Sequence, residues 1–194
     1  MKKQILLSAV VMMSLGLAAL PAYAGEMASG KPFQLSLVTP MQIVNESESI
    51  SGLGINLLYG SNNDFTGFDL GLINRVNGEL RGYQWGAFNY AEKNVYGGQS
   101  GLVNAAESDA HGFQEGFVNY INGKGTGAQF GGFNRSTDFE GVQFGVINST
   151  DNMRGFQLGA VNITQTLNGL QIGIINIASS KKDYPVLPII NAAW

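Results

Sequence analysis

The amino-acid sequence predicts an all-β fold, a tandem-repeat β-solenoid of about eleven short units. Two observations predict it. The phrase GxQxGxxN returns along the chain with a period of 14 or 15, and side chains alternate within the phrase as they do in a strand. Helical repeats are disfavoured, because two glycines in each phrase would cost a helix interior about 2 kcal/mol.

Residues 1–24 predict a cleaved signal peptide. Lys2 and Lys3 precede an apolar run over 5–20, and Ala22-Tyr23-Ala24 is a small-x-small cleavage pattern. We expect cleavage before Gly25, which leaves residues 25–31 as a short N-terminal segment. The protein is therefore expected to be exported.

Eight complete copies of the phrase follow in tandem. Counting the first glycine as position 1, every copy has glycine at position 5 and asparagine at position 8, and seven have glutamine at position 3. The exception at position 3 is Asp69. The predicted structural repeat positions are Gly67, Gly71, Asn74, Gly82, Gln84, Gly86, Asn89, Gln99, Asn104, Gln114, Asn119, Gln129, Asn134, Gln143, Asn148, Gln157, Asn162, Gln171 and Asn176.

Degenerate copies of the phrase flank these eight. They lie at 32–39, at 52–59 and at 184–191, and the longest connection between units is 40–51. Residues 32–194 are thus expected to form a single repeat domain, with capping units at 32–59 and 184–194. The prolines of these units suit the exposed sheet edges at the ends of a stacked array.

A solenoid explains why some positions are constant. Asparagines stacked at position 8 can form a ladder of amide hydrogen bonds in a tight turn, where asparagine tolerates positive φ, and stacked glutamines at position 3 can do the same. Glycine at positions 1 and 5 permits close backbone approach. The constant residues then serve the stack and do not bind a substrate.

The alternative is an antiparallel outer-membrane β-barrel of 10–12 strands, in which the variable apolar positions 2, 4 and 6 face lipid. The aromatic C-terminal residue Trp194 and the Asn77-Gly78 turn are typical of it. A meander of identical units accumulates no shear, however, and Ser100 and Glu115 would face lipid in mid-strand. These arguments favour the solenoid and leave the barrel open.

Composition limits the chemistry. The chain has no cysteine and one histidine, His111, which we interpret as a solvated turn residue. Without Lys2 and Lys3, nine basic residues stand against 14 acidic ones, a net charge of −5 that disfavours nucleic acid as a partner. No catalytic residue, metal site or cofactor is predicted, and we expect the protein not to be an enzyme.

Aromatic residues are concentrated in the central units. We expect them to pack in a core, with a face that contacts sugar or membrane as the alternative. They are Tyr83, Trp85, Tyr90, Phe113, Phe117, Tyr120, Phe130 and Phe133.

The repeated GxQxGxxN units, the preceding segment PFQLSLVTPMQIVNESESISGLGINLLYG and the closing PVLPIINAAW resemble short exported bacterial surface-repeat-containing proteins. The resemblance covers residues 32–194. It implies an envelope location (cell surface, outer membrane or periplasm) in a bacterium with an outer membrane. We expect a structural role there or the binding of an envelope or surface partner; on the barrel alternative, the protein is a small outer-membrane channel. The resemblance implies no enzymatic activity. This chain departs from the pattern at Gly98, Ser100 and Glu115, where bulky apolar residues are usual.

Overall fold

The computed structural model describes residues 30–194. The predicted signal peptide, 1–24, and residues 25–29 of the short segment after it lie outside this range. No helix between residues 30 and 194 is long and apolar enough to span a membrane.

All regular structure in this range is β-strand. The strands are β1 (Lys31–Val38), β2 (Met41–Gln42), β3 (Ile50–Asn62), β4 (Phe65–Val76), β5 (Leu80–Trp85), β6 (Phe88–Ala91), β7 (Val95–Ser100), β8 (Val103–Ala106), β9 (Ala110–Leu158), β10 (Val161–Ala178) and β11 (Val186–Ala193).

The strands wind into a β-solenoid of about nine turns. Equivalent residues of successive coils pair in parallel: Gly67 lies beside Gly82, Gly82 beside Gly97, and Gly155 beside Gly169. Because consecutive units run in the same direction, the predicted solenoid is confirmed. The antiparallel barrel is wrong, since it requires neighbouring units to run in opposite directions.

Each coil contains two strand segments joined by a bend. In one coil the chain runs along β5, bends at Gly86 and Ala87, and returns along β6. The phrase GxQxGxxN therefore spans both segments of a coil, although β4, β9 and β10 continue through the bend without interruption. The bend shifts the alternation by one residue, so that position 3 and position 8 both point inward although one is odd and the other even. A turn beyond β6 then leads to the next coil.

The space between the two segments of each coil is filled by side chains from four positions. Glutamine at position 3 and asparagine at position 8 occupy the end near the bend. Mostly apolar residues occupy the other end, two places before position 1 and two places after position 8, as Leu80 and Ala91 do. The polar exceptions in the second row are Ser136, Thr150 and Thr164. The interior is thus part amide and part hydrocarbon.

The two ends of the solenoid differ. At the N-terminal end β1 pairs in parallel with β3. A bulge in β3 then places Gly60, and not Tyr59, beside Asn74 of the next coil. At the C-terminal end β11 runs antiparallel to β10, and Asn191 pairs with Gln171. The segment 184–191 therefore covers the last coil, but it is not another parallel repeat.

Candidate functional surface

The glutamines at position 3 form a continuous ladder through the interior. The Nε2 of each glutamine donates to the Oε1 of the glutamine in the preceding coil, at 2.6–2.9 Å, as in Gln99 to Gln84 and Gln157 to Gln143. These side chains are fully buried, or nearly so. Burial of an amide is tolerated because each is hydrogen-bonded to the next.

The asparagines at position 8 form a second ladder of opposite direction. Each Nδ2 donates to the Oδ1 of the asparagine in the following coil, at 2.8–2.9 Å. It also donates to the position 4 carbonyl of that coil, as Asn74 does to Trp85 at 3.0 Å. This second bond holds the bend closed. Positive φ outside glycine occurs within residues 30–194 at Tyr184 and Ile189, so the expectation of positive φ at these asparagines is wrong.

Glycine is required at position 1 by close contact between coils. Gly82 has φ of 145°, and a Cβ there would lie 2.0 Å from the carbonyl oxygen of Gly67. Such a φ is essentially restricted to glycine, and the clash involves backbone that has nowhere to move.

Glycine at position 5 makes room for the asparagine ladder. A Cβ at Gly86 would lie 2.3 Å from the oxygen of Gly71 and 2.6 Å from the Nδ2 of Asn74. A larger residue would block that amide from reaching the carbonyl at position 4. The glycine and asparagine of the phrase therefore act together at the bend.

Asp69 connects the two ladders. Its Oδ2 accepts from Gln84 Nε2 at 3.1 Å, and its Oδ1 accepts from Asn56 Nδ2 at 2.7 Å. Asn56 also donates to Asn74 at 2.9 Å, so it is the first asparagine of the second ladder. A carboxylate can only accept, and this fixes the direction in which the glutamines donate. Complete burial raises the pKa of Asp69 to about 6, against the lowering effect of these two bonds.

The variable positions 2, 4, 6 and 7 form the outer surface around the bend, which we call the apolar surface. Within residues 52–175 these positions are aliphatic, aromatic or glycine in every coil, except for Ser100 and Glu115. Position 6, at the crest of the bend, is the most open, with Phe117 71% and Ile174 72% exposed. The expectation that the central aromatics pack in a core is wrong for Trp85, Phe117, Phe130 and Phe133, because amides occupy that part of the interior.

Several rings on the apolar surface cover glycines of a neighbouring coil. The ring of Phe113 occupies the space that a Cβ at Gly98 would enter, 2.6 Å away, and the ring of Phe117 lies 2.9 Å from such a position at Gly132. Phe130 and Phe144 stack at 5.4 Å between ring centroids. The departure from the repeat pattern at Gly98 is thus compensated by its neighbour.

Glu115 lies in a shallow depression of the apolar surface. The depression is about 420 Å³ and is lined by Ser100, Glu115, Phe117, Phe130 and the glycines beneath them. Partial burial raises the pKa of Glu115 above its usual value, and a hydrogen bond from Ser100 opposes this. Within residues 30–194 no lysine or arginine forms an ion pair with Glu115.

Charged residues are found instead near the turns between coils, at the edge opposite the bend, which we call the turn edge. Ion pairs link neighbouring coils there and on the adjoining faces, as between Arg135 and Asp151 at 2.9 Å and between Lys124 and Glu140 at 3.2 Å. His111 stacks on Tyr96 at 5.3 Å in a strand and not in a turn. The solenoid is therefore amphipathic across its width.

The functional candidate is the apolar surface. The sequence predicts a core for the central aromatics, and a face that contacts sugar or membrane is only the alternative. The signal was present in the variable positions, which stay apolar while their size changes freely. Within residues 30–194 no group of three histidine, aspartate or glutamate side chains is placed to hold a metal ion.

Comparison of the chain with family models, with curated proteins and with solved structures finds no match.

Proposed function

We propose that this protein is a non-enzymatic, exported component of the envelope of a bacterium with an outer membrane, and that it binds an envelope partner through the apolar surface. The observation that carries the proposal is the separation of outer residues into an apolar surface around the bend and a charged turn edge. Soluble monomers rarely expose a continuous apolar area of this extent unless it binds something.

The non-enzymatic part of the proposal is supported by how the constant residues are used. The glutamines and asparagines of the phrase are turned inward and hydrogen-bonded to one another, so their side chains are not directed at a ligand. Their role is to hold the coils in register. The variable residues outside them are apolar, which suits binding to a partner.

Cell fractionation tests this proposal. We expect the wild-type protein in the envelope pellet after osmotic shock. The double variant Phe117→Ser/Ile174→Ser should move to the soluble fraction, because both side chains stand at the exposed crest. The control is Tyr184→Ser, which removes an aromatic that is 75% exposed in the connection before β11, away from the crest. Soluble wild-type protein would overturn the proposal, and so would equal behaviour of the two variants.

A further inference from the structure

We propose that the partner of the apolar surface is a lipid layer, on which the solenoid lies lengthwise with its turn edge in water. This inference rests on the function proposed above and names the partner. Three features support it: the shape of the surface, its low polar content and the indole of Trp85. The position of the single carboxylate disfavours a second copy of the chain as the partner.

The shape is a long convex ridge. Nine coils follow one another at about 4.8 Å, so the crest formed by position 6 is about 40 Å long. It is convex because it follows the bend in which the chain reverses between positions 4 and 7. A ridge cannot enclose a small molecule, but a lipid layer deforms around it and admits apolar side chains to a depth of about 5–10 Å.

The polar content of the ridge is too low for a typical protein partner. Protein interfaces carry roughly one hydrogen bond per 100–200 Å². The polar side-chain groups at positions 2, 4, 6 and 7 within residues 52–175 are Ser100, Glu115, the hydroxyl of Tyr83 and the indole N–H of Trp85. A surface with so few directional groups suits a partner that is bound by apolar burial alone.

The position of Glu115 disfavours a second copy of the chain as the occupant. Its coil begins at Gly112, the fifth of the nine that begin with a positive-φ glycine. Two copies related by a two-fold axis through the middle of the ridge would bring their Glu115 carboxylates together. Like charges that meet in an apolar interface repel, and that arrangement is unfavourable.

Trp85 supports a lipid partner further. Its ring is 59% exposed on the apolar surface, and indoles favour the boundary between hydrocarbon and water. The opposite edge carries ion pairs and polar turns that stay hydrated when the ridge is buried.

Flotation of the purified protein with protein-free phosphatidylcholine vesicles tests the inference. We expect the wild-type protein to float with the vesicles at low and high salt alike, because binding is by apolar burial. Phe117→Ser and Ile174→Ser should each lower the vesicle partition coefficient about tenfold, the effect of withdrawing one large apolar side chain. Tyr184→Ser should leave it unchanged, and circular dichroism checks that each variant retains its β-structure.

Three outcomes would overturn the inference. The first is that the wild-type protein does not float, and the second is that the crest variants float as well as the control. The third is that analytical ultracentrifugation shows dimers that Phe117→Ser dissociates. Envelope retention in cells without vesicle binding would mean a protein partner. In that case the lipid inference fails while the proposed function stands.

Discussion

Gln143 and Gln157 occupy the same position in consecutive coils, and the Nε2 of Gln157 donates a 2.7 Å hydrogen bond to the Oε1 of Gln143. The same contact recurs along the interior, while the asparagine ladder beside it donates in the opposite direction. The amide dipoles of the two ladders therefore oppose each other along the solenoid axis. The constant residues of the repeat are explained by this pair of ladders and by the glycines that make room for them.

Removal of one amide from the ladder should be strongly destabilising. Gln114→Ala leaves the Oε1 of Gln99 and the Nε2 of Gln129 without their side-chain partner, and each buried unsatisfied group costs about 1–3 kcal/mol. We expect a loss of about 3–5 kcal/mol, measured by urea denaturation. Gln165→Ala, at an exposed glutamine, is the control and should change stability by less than about 0.5 kcal/mol. Similar midpoints for the two variants would contradict the ladder as a source of stability.

The parallel register can be tested by engineered disulfides. Ile147 and Val161 are direct partners in neighbouring coils, on the outer surface, and the chain contains no cysteine of its own. Ile147→Cys/Val161→Cys should form a disulfide on mild oxidation, because paired strands bring Cα atoms within bonding range. Ile147→Cys/Ile175→Cys spans two coils and should stay reduced. Efficient cross-linking of this second pair would contradict the register.

Alanine scanning of glycines should separate two kinds of position. Gly155→Ala introduces a Cβ 2.1 Å from the carbonyl oxygen of Gly141, at a φ of 132°. We expect it to lower the free energy of unfolding by at least about 3 kcal/mol, if the variant folds at all. Gly132→Ala is the control, since Ala87 and Ala160 occupy the same position in other coils. A Cβ there displaces the exposed ring of Phe117, 2.9 Å away, and meets its backbone oxygen at 3.1 Å, a much milder contact than at Gly155. A mild effect at Gly155 would contradict the close contact between coils.

The sequence predicted the stacking of the coils but not the path of the chain within each coil. The period and the parallel register followed from the spacing of glycine and asparagine, because equivalent residues must stack at equal intervals. The coil with two segments did not follow, since the bend at Gly86 and Ala87 shifts the alternation without changing the spacing. The antiparallel direction of β11 could not be predicted either. Asn191 follows Asn176 at the period of the repeat, and yet it pairs with Gln171 in an antiparallel strand.

The candidate surface was predicted only as an alternative, for a different reason. Aromatic residues such as Phe117 are usually buried, so a core was the expected place for them. In this solenoid the ladders and two mostly apolar rows fill the narrow interior, and large side chains are left outside. The three-dimensional arrangement adds that position 7 joins positions 2, 4 and 6 in one surface around the bend.

Asp69 predicts a specific pH dependence of stability. Burial raises its pKa from 3.8 to about 6 in the folded protein, so the folded state binds this proton more tightly than the unfolded state does. Stability from this group is present below about pH 4 and is lost as the pH rises to about 6, a difference of about 3 kcal/mol. Asp69→Asn removes this pH-dependent contribution to the free energy of unfolding. Urea midpoints of both proteins from pH 4 to 7 should therefore diverge, and parallel profiles would contradict the assignment.

Glu115 predicts how charge limits lipid binding. It is the carboxylate of the apolar surface, and burial against lipid would remove more of its water, a change that already raises its pKa in the free protein. Glu115→Gln should therefore increase the vesicle partition coefficient several-fold at neutral pH, and the wild-type protein should approach that value as the pH is lowered. Glu107→Gln changes the net charge equally at an exposed residue of the turn edge, and we expect no effect from it. Equal increases for both variants would mean that net charge, and not the place of Glu115 on the ridge, governs binding.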